Sequence, residues 1–286
     1  MTNITKLTSD TFRFWITRKK IRDDSSCVID LTGLTFSSPG GLVPLAALCS
    51  SLAKNHPRII IKLAHPHQRN YFVSSGFYSV LEDIVVFEPE IPKARLGDFE
   101  DRRGGNPLMI EITRIGDEKD LPQLLNKLVS ILRFRMSLGK EHAFDTAIAV
   151  SELCQNTFDH NPEACGLIGL QVFNASNGRF VEVSISDYGR GIAATLRENS
   201  DNPSFLTDME AIETAVLLGT SQYRDVTRGT GLYHLLKIAK KGDGTVQLCS
   251  GTATKRFRTD LGKVHGFVET NSLSGTHITL SLKART

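Results

Sequence analysis

Cysteine is scarce in this sequence: there are five, Cys27, Cys49, Cys154, Cys165 and Cys249, and no two form a CxxC pair. That scatter suggests neither a zinc site nor a disulfide framework, and it fits a reducing cytoplasm. Long apolar runs are missing as well. Nothing approaches the roughly eighteen residues needed to span a bilayer, and Met1 is followed by polar residues rather than a signal peptide's apolar core. The expectation is a cytoplasmic protein that engages no membrane. Neither charge sign dominates, with Lys+Arg 34 against Asp+Glu 31 and a net charge of +3, a balance that argues against nucleic-acid binding. Internal repeats and low-complexity tracts are absent. What remains is 286 residues with a hydrophobic share of 40%, enough for one or two domains with ordinary cores.

The most informative stretch is 143–192. On a helix, Glu152, Asn156, Asp159 and His160 project from one narrow sector, whereas Ala143, Ala147, Val150, Cys154 and Phe158 form the opposite, buried side. Val181 to Asp187 alternates apolar and polar residues and reads as a half-buried strand. It runs into Asp187-Tyr-Gly189-Arg-Gly191-Ile192, a turn whose glycines let backbone come close to a flat or charged ligand. Further on, Arg228-Gly229-Thr230-Gly231-Leu232 opens a helix rich in Leu and Ile. A glycine-flanked helix start offers free N–H groups and the positive end of the dipole, which suits phosphate.

The first ninety or so residues follow a strand–helix–strand–helix order. A short helix around Phe12, Trp15 and Ile16 has a basic end at Arg18, Lys19, Lys20 and Arg22. Cys27 to Leu31 is a strand, Leu31 to Leu42 a turn entering an apolar helix (Leu45, Ala46, Leu48, Leu52), and Arg58 to Leu63 a second strand. Gln68–Ser75 and Tyr78–Leu81 read as short helices before a strand at Ile84–Phe87. This is a βα pattern with parallel pairing. Residues 97–107, GDFEDRRGGNP, have a linker's composition and place a domain boundary there. Beyond it come a strand at Leu108–Ile112 and an amphipathic helix through Leu121, Leu128 and Leu132 with Pro122 in its first turn. Ala211–Leu218 reads as an apolar helix. Thr245–Ser250, Thr252–Phe257 and Thr276–Leu282 read as three strands around turn signals at Gly251 and Gly275.

The order ExxxNxxxH, DxGxG, GTGL and Gly275-Thr276 resembles the GHKL superfamily, the ATP-binding fold shared by gyrase, MutL, histidine kinases and anti-sigma-factor serine kinases. The resemblance covers 108–286 and is nearest the anti-sigma kinases, because no two-helix bundle with a phospho-accepting histidine fits before the motif helix. Residues 25–90, with Asp30 through Leu42 as the signature turn, resemble a STAS domain. In the anti-sigma-factor antagonists that share the STAS fold, a phosphorylated serine stands where this chain has Gly40, so that acceptor is missing; Ser37 and Ser38 stand nearby. The expected fold is therefore α/β: a STAS-like βα domain (1–96), a linker (97–107), and a two-layer α/β sandwich (108–286) of Bergerat type, its mixed sheet covered by helices on one face.

The resemblance implies roles. Asp187 would accept from the adenine amino group with Thr276 in support, and Gly189, Gly191 and Ile192 would border the ring. Asn156 would put its oxygen on Mg²⁺, and Gly229, Thr230, Gly231 and Leu232 would offer N–H groups to the phosphates. Asp159 and His160 would contact phosphate or order the lid formed by residues 193–228. Glu152 would be the general base, and Arg228 would neutralise developing charge. Two readings stay open: a serine/threonine protein kinase acting on a STAS-type partner, or an ATPase or nucleotide-gated interaction module. The STAS-like half would serve docking or the formation of a homodimer. A dinucleotide site is excluded, since no GxGxxG follows a first strand.

Overall fold

The computed structural model describes residues 4–18, 27–63, 65–91, 108–159, 166–176, 178–198, 207–216, 231–258 and 263–284. The 97–107 linker and most of the 193–228 lid lie outside these residues. Among the described residues no helix is long and apolar enough to cross a membrane.

Among the described residues the chain is an α/β protein with two main sheets and a separate two-stranded pair. The smaller is parallel, β2 (Cys27–Leu31), β4 (Ile59–Leu63) and β5 (Val85–Glu88) in the order β2-β4-β5, as the βα pattern predicts. A two-residue strand, β3 (Phe36–Ser37), pairs separately with β1 (Lys6–Leu7). The larger sheet comprises β6 (Met109–Ile115), β7 (Gly166–Ala175), β8 (Gly178–Ser186), β9 (Thr245–Arg258) and β10 (Lys263–Lys283) in the order β6-β7-β8-β10-β9. Every pairing in it is antiparallel, so the expected mixed sheet is corrected.

Three helices cover one face of the larger sheet: α4 (Leu121–Phe134), α5 (Lys140–Asp159) and α8 (Gly231–Lys241). Ala143, Ala147, Val150 and Cys154 of α5 are buried there beside Val181, Val183 and Ile185 of β8. Burial pushes the Cys154 thiol up to about 12.

The other face is not open. Helix α2 (Pro39–Leu52) lies across β7 and β8, with α1 (Ser9–Arg18) beside it against β10. Every residue of α2 from Pro39 to Cys49 is buried, as a helix apolar on all sides requires. Gly169 of β7 makes room for it, because a Cβ there would sit 3.0 Å from a Val43 methyl. One continuous core runs from Phe12, Leu31, Leu45, Ile61 and Phe77 to Ile112, Leu167, Cys249 and Leu273, so the two halves of the chain share it. Each of those large apolar side chains contributes about 1.5–3 kcal/mol by burial.

This packing corrects the reading of β8 as half-buried: all its residues from Val181 to Ser186 are buried. The polar row, Glu182, Ser184 and Ser186, faces the helices of the N-terminal half rather than water. Glu182 Oε1 accepts the Gly40 N–H at 2.6 Å, placing a carboxylate at the N-terminus of α2, where the helix dipole favours it. Burial pushes the Glu182 carboxyl up, and the Ser38 hydroxyl and Gly40 N–H oppose that rise. Gly40 and Gly41 have no room for side chains; a Cβ on Gly41 would lie 2.3 Å from the Leu7 carbonyl oxygen. Ser37 and Ser38 are buried too.

Three further expectations change. The helix expected at Gln68–Ser75 is α3 (Pro66–Ser74), and Tyr78–Leu81 forms turns rather than a helix. The three C-terminal strands are two long ones, since Gly251 (φ 57°) and Gly275 (φ 82°) sit within β9 and β10 at register shifts instead of ending strands. The helix expected at 211–218 is α7 (Asp208–Ala215), begun by a Thr207–Glu210 capping box; residues 217 and 218 lie outside the described set.

Candidate functional site

Strand β8 delivers Asp187 to its end, buried to 5% exposure. The Asp187 N–H donates to the Thr276 carbonyl at 3.0 Å, and Asp187 Oδ1 accepts the Gly189 N–H at 2.8 Å. Burial raises this carboxyl to about 6, against the lowering effect of the Gly189 and Thr276 backbone donors. A buried acceptor fixed by backbone N–H groups is suited to a specific polar contact.

Around it, glycines let the turns close on one another. Gly191 (φ 78°) begins helix α6 (Gly191–Arg197), and a Cβ there would lie 2.8 Å from Ser250 Oγ. A Cβ on Gly275 would come within 2.1 Å of the Asp187 carbonyl oxygen. Ser250 ties both turns, accepting the Ile192 N–H at 3.0 Å and donating to the Gly275 carbonyl at 2.9 Å. Gly191 thus lets the start of α6 close on the Ser250 hydroxyl and the Gly275 carbonyl.

A second group forms where α5 meets α8. Gly231, the first residue of α8, is buried against Glu152; a Cβ on Gly231 would lie 3.0 Å from both Cβ and Oε2 of Glu152. The Glu152 side chain is 24% exposed, and its Oε1 lies 3.9 Å from His234 Nδ1. Asn156, one turn along, is half-buried, and Leu232 packs on the core that Ile185 and Leu153 share. Asp159 is the last residue of α5. The structure therefore brings Asp187, Gly189, Gly191, Ile192 and Thr276 together, and Glu152 with Gly231. His160, Arg228, Gly229 and Thr230 lie outside the described residues.

As a metal centre the set is thin. Among the described residues no group of three or more His, Cys, Asp or Glu side chains could hold an ion, and Asn156 supplies a single carboxamide oxygen. Such a donor fits Mg²⁺ only where a phosphate ligand and water provide the remaining oxygens.

Sequence reasoning missed Ser250, His234, Tyr188 and His277. Ser250 looked like any strand residue, and only its place before the positive-φ Gly251 marked it. Tyr188 and His277 flank Asp187 and Thr276 with ring centroids 4.9 Å apart. Compared with known proteins, the chain matches no family model and no curated protein.

Proposed function

We propose that the chain is an ATP-binding signalling regulator of GHKL type, and specifically a serine/threonine protein kinase resembling anti-sigma factors that acts in the cytoplasm on a separate STAS-type protein. The observation that carries this reading is Asp187: a buried carboxylate at a strand end, held by the N–H groups of a glycine turn and of Thr276. Such a group accepts a hydrogen bond from an adenine amino group and rejects guanine's carbonyl. Loss of a contact of that kind costs about 1–3 kcal/mol, roughly ten- to a hundredfold or more in affinity.

The junction of Glu152 with Gly231 supports the catalytic part of the proposal. It sets a partly exposed carboxylate against Gly231 at the start of α8, the residue that follows Gly229 and Thr230 in the sequence, which would bind phosphate. Glu152 would take the proton of an attacking hydroxyl, Asn156 would share in holding Mg²⁺ on the ATP phosphates, and Arg228 would offset charge during transfer.

A second reading is ATP hydrolysis or nucleotide-gated interaction without protein phosphorylation, and one feature fits both readings. The chain's own STAS-like turn is closed: Gly40 has no hydroxyl, and Ser37 and Ser38 are buried. Phosphate must go to another protein or to water.

Incubation with Mg²⁺ and γ-labelled ATP in source-cell extract separates these. Label on a discrete small protein, abolished by Glu152→Ala, supports the kinase. Label released only as phosphate supports the ATPase. Absence of ATP binding by calorimetry, or undiminished binding in Asp187→Asn, rejects the nucleotide assignment.

A further inference from the structure

Helix α1 belongs to the N-terminal half, yet it inserts a charged side chain behind the Asp187 turn. Arg13 is 1% exposed. Its Nη2 donates to the Gly251 carbonyl at 2.7 Å, and its Nη1 to the Ala253 carbonyl at 3.2 Å and to Cys249 Sγ at 2.8 Å. These three acceptors bracket Ser250, whose hydroxyl holds both the Ile192 N–H and the Gly275 carbonyl. A second path runs beside the first. Phe12 meets His277 edge-on at 6.1 Å, and His277 packs on Tyr188 at 4.9 Å. Tyr188 and His277 are the chain neighbours of Asp187 and Thr276.

Burying a guanidinium is costly unless acceptors converge on it. Here they converge at the positive-φ break of β9, beside the Ser250 hydroxyl that ties both glycine turns. His277 stays uncharged beside it, since burial and the Arg13 charge hold its imidazole down to about 3.

From this geometry we infer that α1 frames the adenine end of the candidate site: Arg13 and Phe12 are positioning residues, and a ligand seated at Asp187 is felt at α1. The inference rests on the nucleotide reading above. By linkage, whatever α1 contributes to ligand affinity, the ligand returns as a bias on α1.

The sequence contains one tryptophan, Trp15, buried on α1 two residues beyond Arg13. Its emission therefore reports on the helix alone. The experiment titrates the full chain with Mg²⁺–ATP and, separately, with adenosine, following Trp15 emission and, in parallel, binding heat. The same heats are then measured for Arg13→Lys and Phe12→Leu, well below their unfolding temperatures. The expected result is an emission change that saturates with the heat, and an affinity about tenfold weaker in Arg13→Lys. That loss is equal for ATP and adenosine because it falls on the adenine end.

Constant Trp15 emission at saturating ATP overturns the inference. So does wild-type affinity in both variants, even if their melting temperatures fall, because lowered stability alone is a structural role. Where Arg13→Lys does not fold, Phe12→Leu and the wild-type emission decide. Absence of heat in the wild-type chain would instead reject the nucleotide reading, and the inference with it.

Discussion

The two faces of β8 bury the same number of side chains by different means. On the face toward α4, α5 and α8 the row is Val181, Val183 and Ile185, and it needs nothing but close packing. On the face toward α2 the row is Glu182, Ser184 and Ser186, and each polar group there needs a partner. Glu182 finds one in the α2 N-terminus and Ser184 Oγ lies 3.4 Å from Thr279 Oγ1, whereas the buried Ser186 Oγ has no hydrogen-bond partner among the described residues. The first face would bury equally well under any apolar helix of the right shape. The second meets the first turn of α2 through Glu182 and the Gly40 N–H, so this carboxylate helps specify which element docks and in what register. At the end of the apolar row stands Asp187, a carboxylate held by the turns of its own sheet.

The comparison is broken most severely from the apolar side. Ile185→Ala should cost about 3 kcal/mol in urea unfolding, the usual result of an unfilled core space, while leaving the α2 contact intact. A cost near zero would mean that this face is not close-packed.

Next is the Asp187 carboxylate. Its folded value of about 6 lies above the ordinary 3.8, so the folded state holds the proton more tightly. The stability it contributes is full below about pH 3.8 and is lost as pH rises to about 6, roughly 2–3 kcal/mol at most. Asp187→Asn should flatten this slope between pH 4 and 7 in unfolding titrations. An unchanged slope would assign it to other groups. In the wild type, ATP affinity should weaken as pH falls below about 6, because the adenine contact needs the ionised carboxylate.

Gly41→Ala should cost about 1–3 kcal/mol, since its methyl group would overlap the Leu7 carbonyl and push α2 from β1. A neutral result in thermal unfolding would show that the N-terminal arm gives way freely. Glu182→Gln is the smallest change. It keeps an acceptor for the Gly40 N–H and removes a charge that burial disfavours, so the unfolding free energy at pH 7.5 should change by less than about 1 kcal/mol. A loss of several kcal/mol would show that the ionised form is what holds α2.

Much of the fold was legible wherever one periodicity applied. The sector of α5 with Glu152 and Asn156 against Ala143, Ala147, Val150 and Cys154 came from spacing, and the parallel βα order from alternating runs. The structure brings Asp187 and Thr276 together, as the motif order expected. What escaped depends on contacts distant in sequence. Alternation in Val181–Asp187 is identical whether the polar side meets water or α2, so burial of Glu182 was invisible. The β7 run Gly-Leu-Ile-Gly-Leu lacks alternation because both its faces are covered, and it went unassigned. Gly251 and Gly275 look like turn residues, and only the ladder around them reveals bulges inside long strands. Arg13 gave no signal, since nothing local distinguishes a buried arginine from an exposed one.

The strand order β6-β7-β8-β10-β9 has a consequence for how the molecule is made. Strand β10, furthest along the chain, lies between β8 and β9, and Arg13 bonds to residues more than 230 positions away. The part of that face against which α1 packs therefore does not exist until β10 has inserted, whereas α2 lies on the β7–β8 pair. During synthesis the apolar α2 emerges long before its covering sheet, a topology of distant contacts that folds slowly and exposes sticky surface meanwhile. Docking of α1 and its Arg13 on the sheet should accordingly follow the insertion of β10.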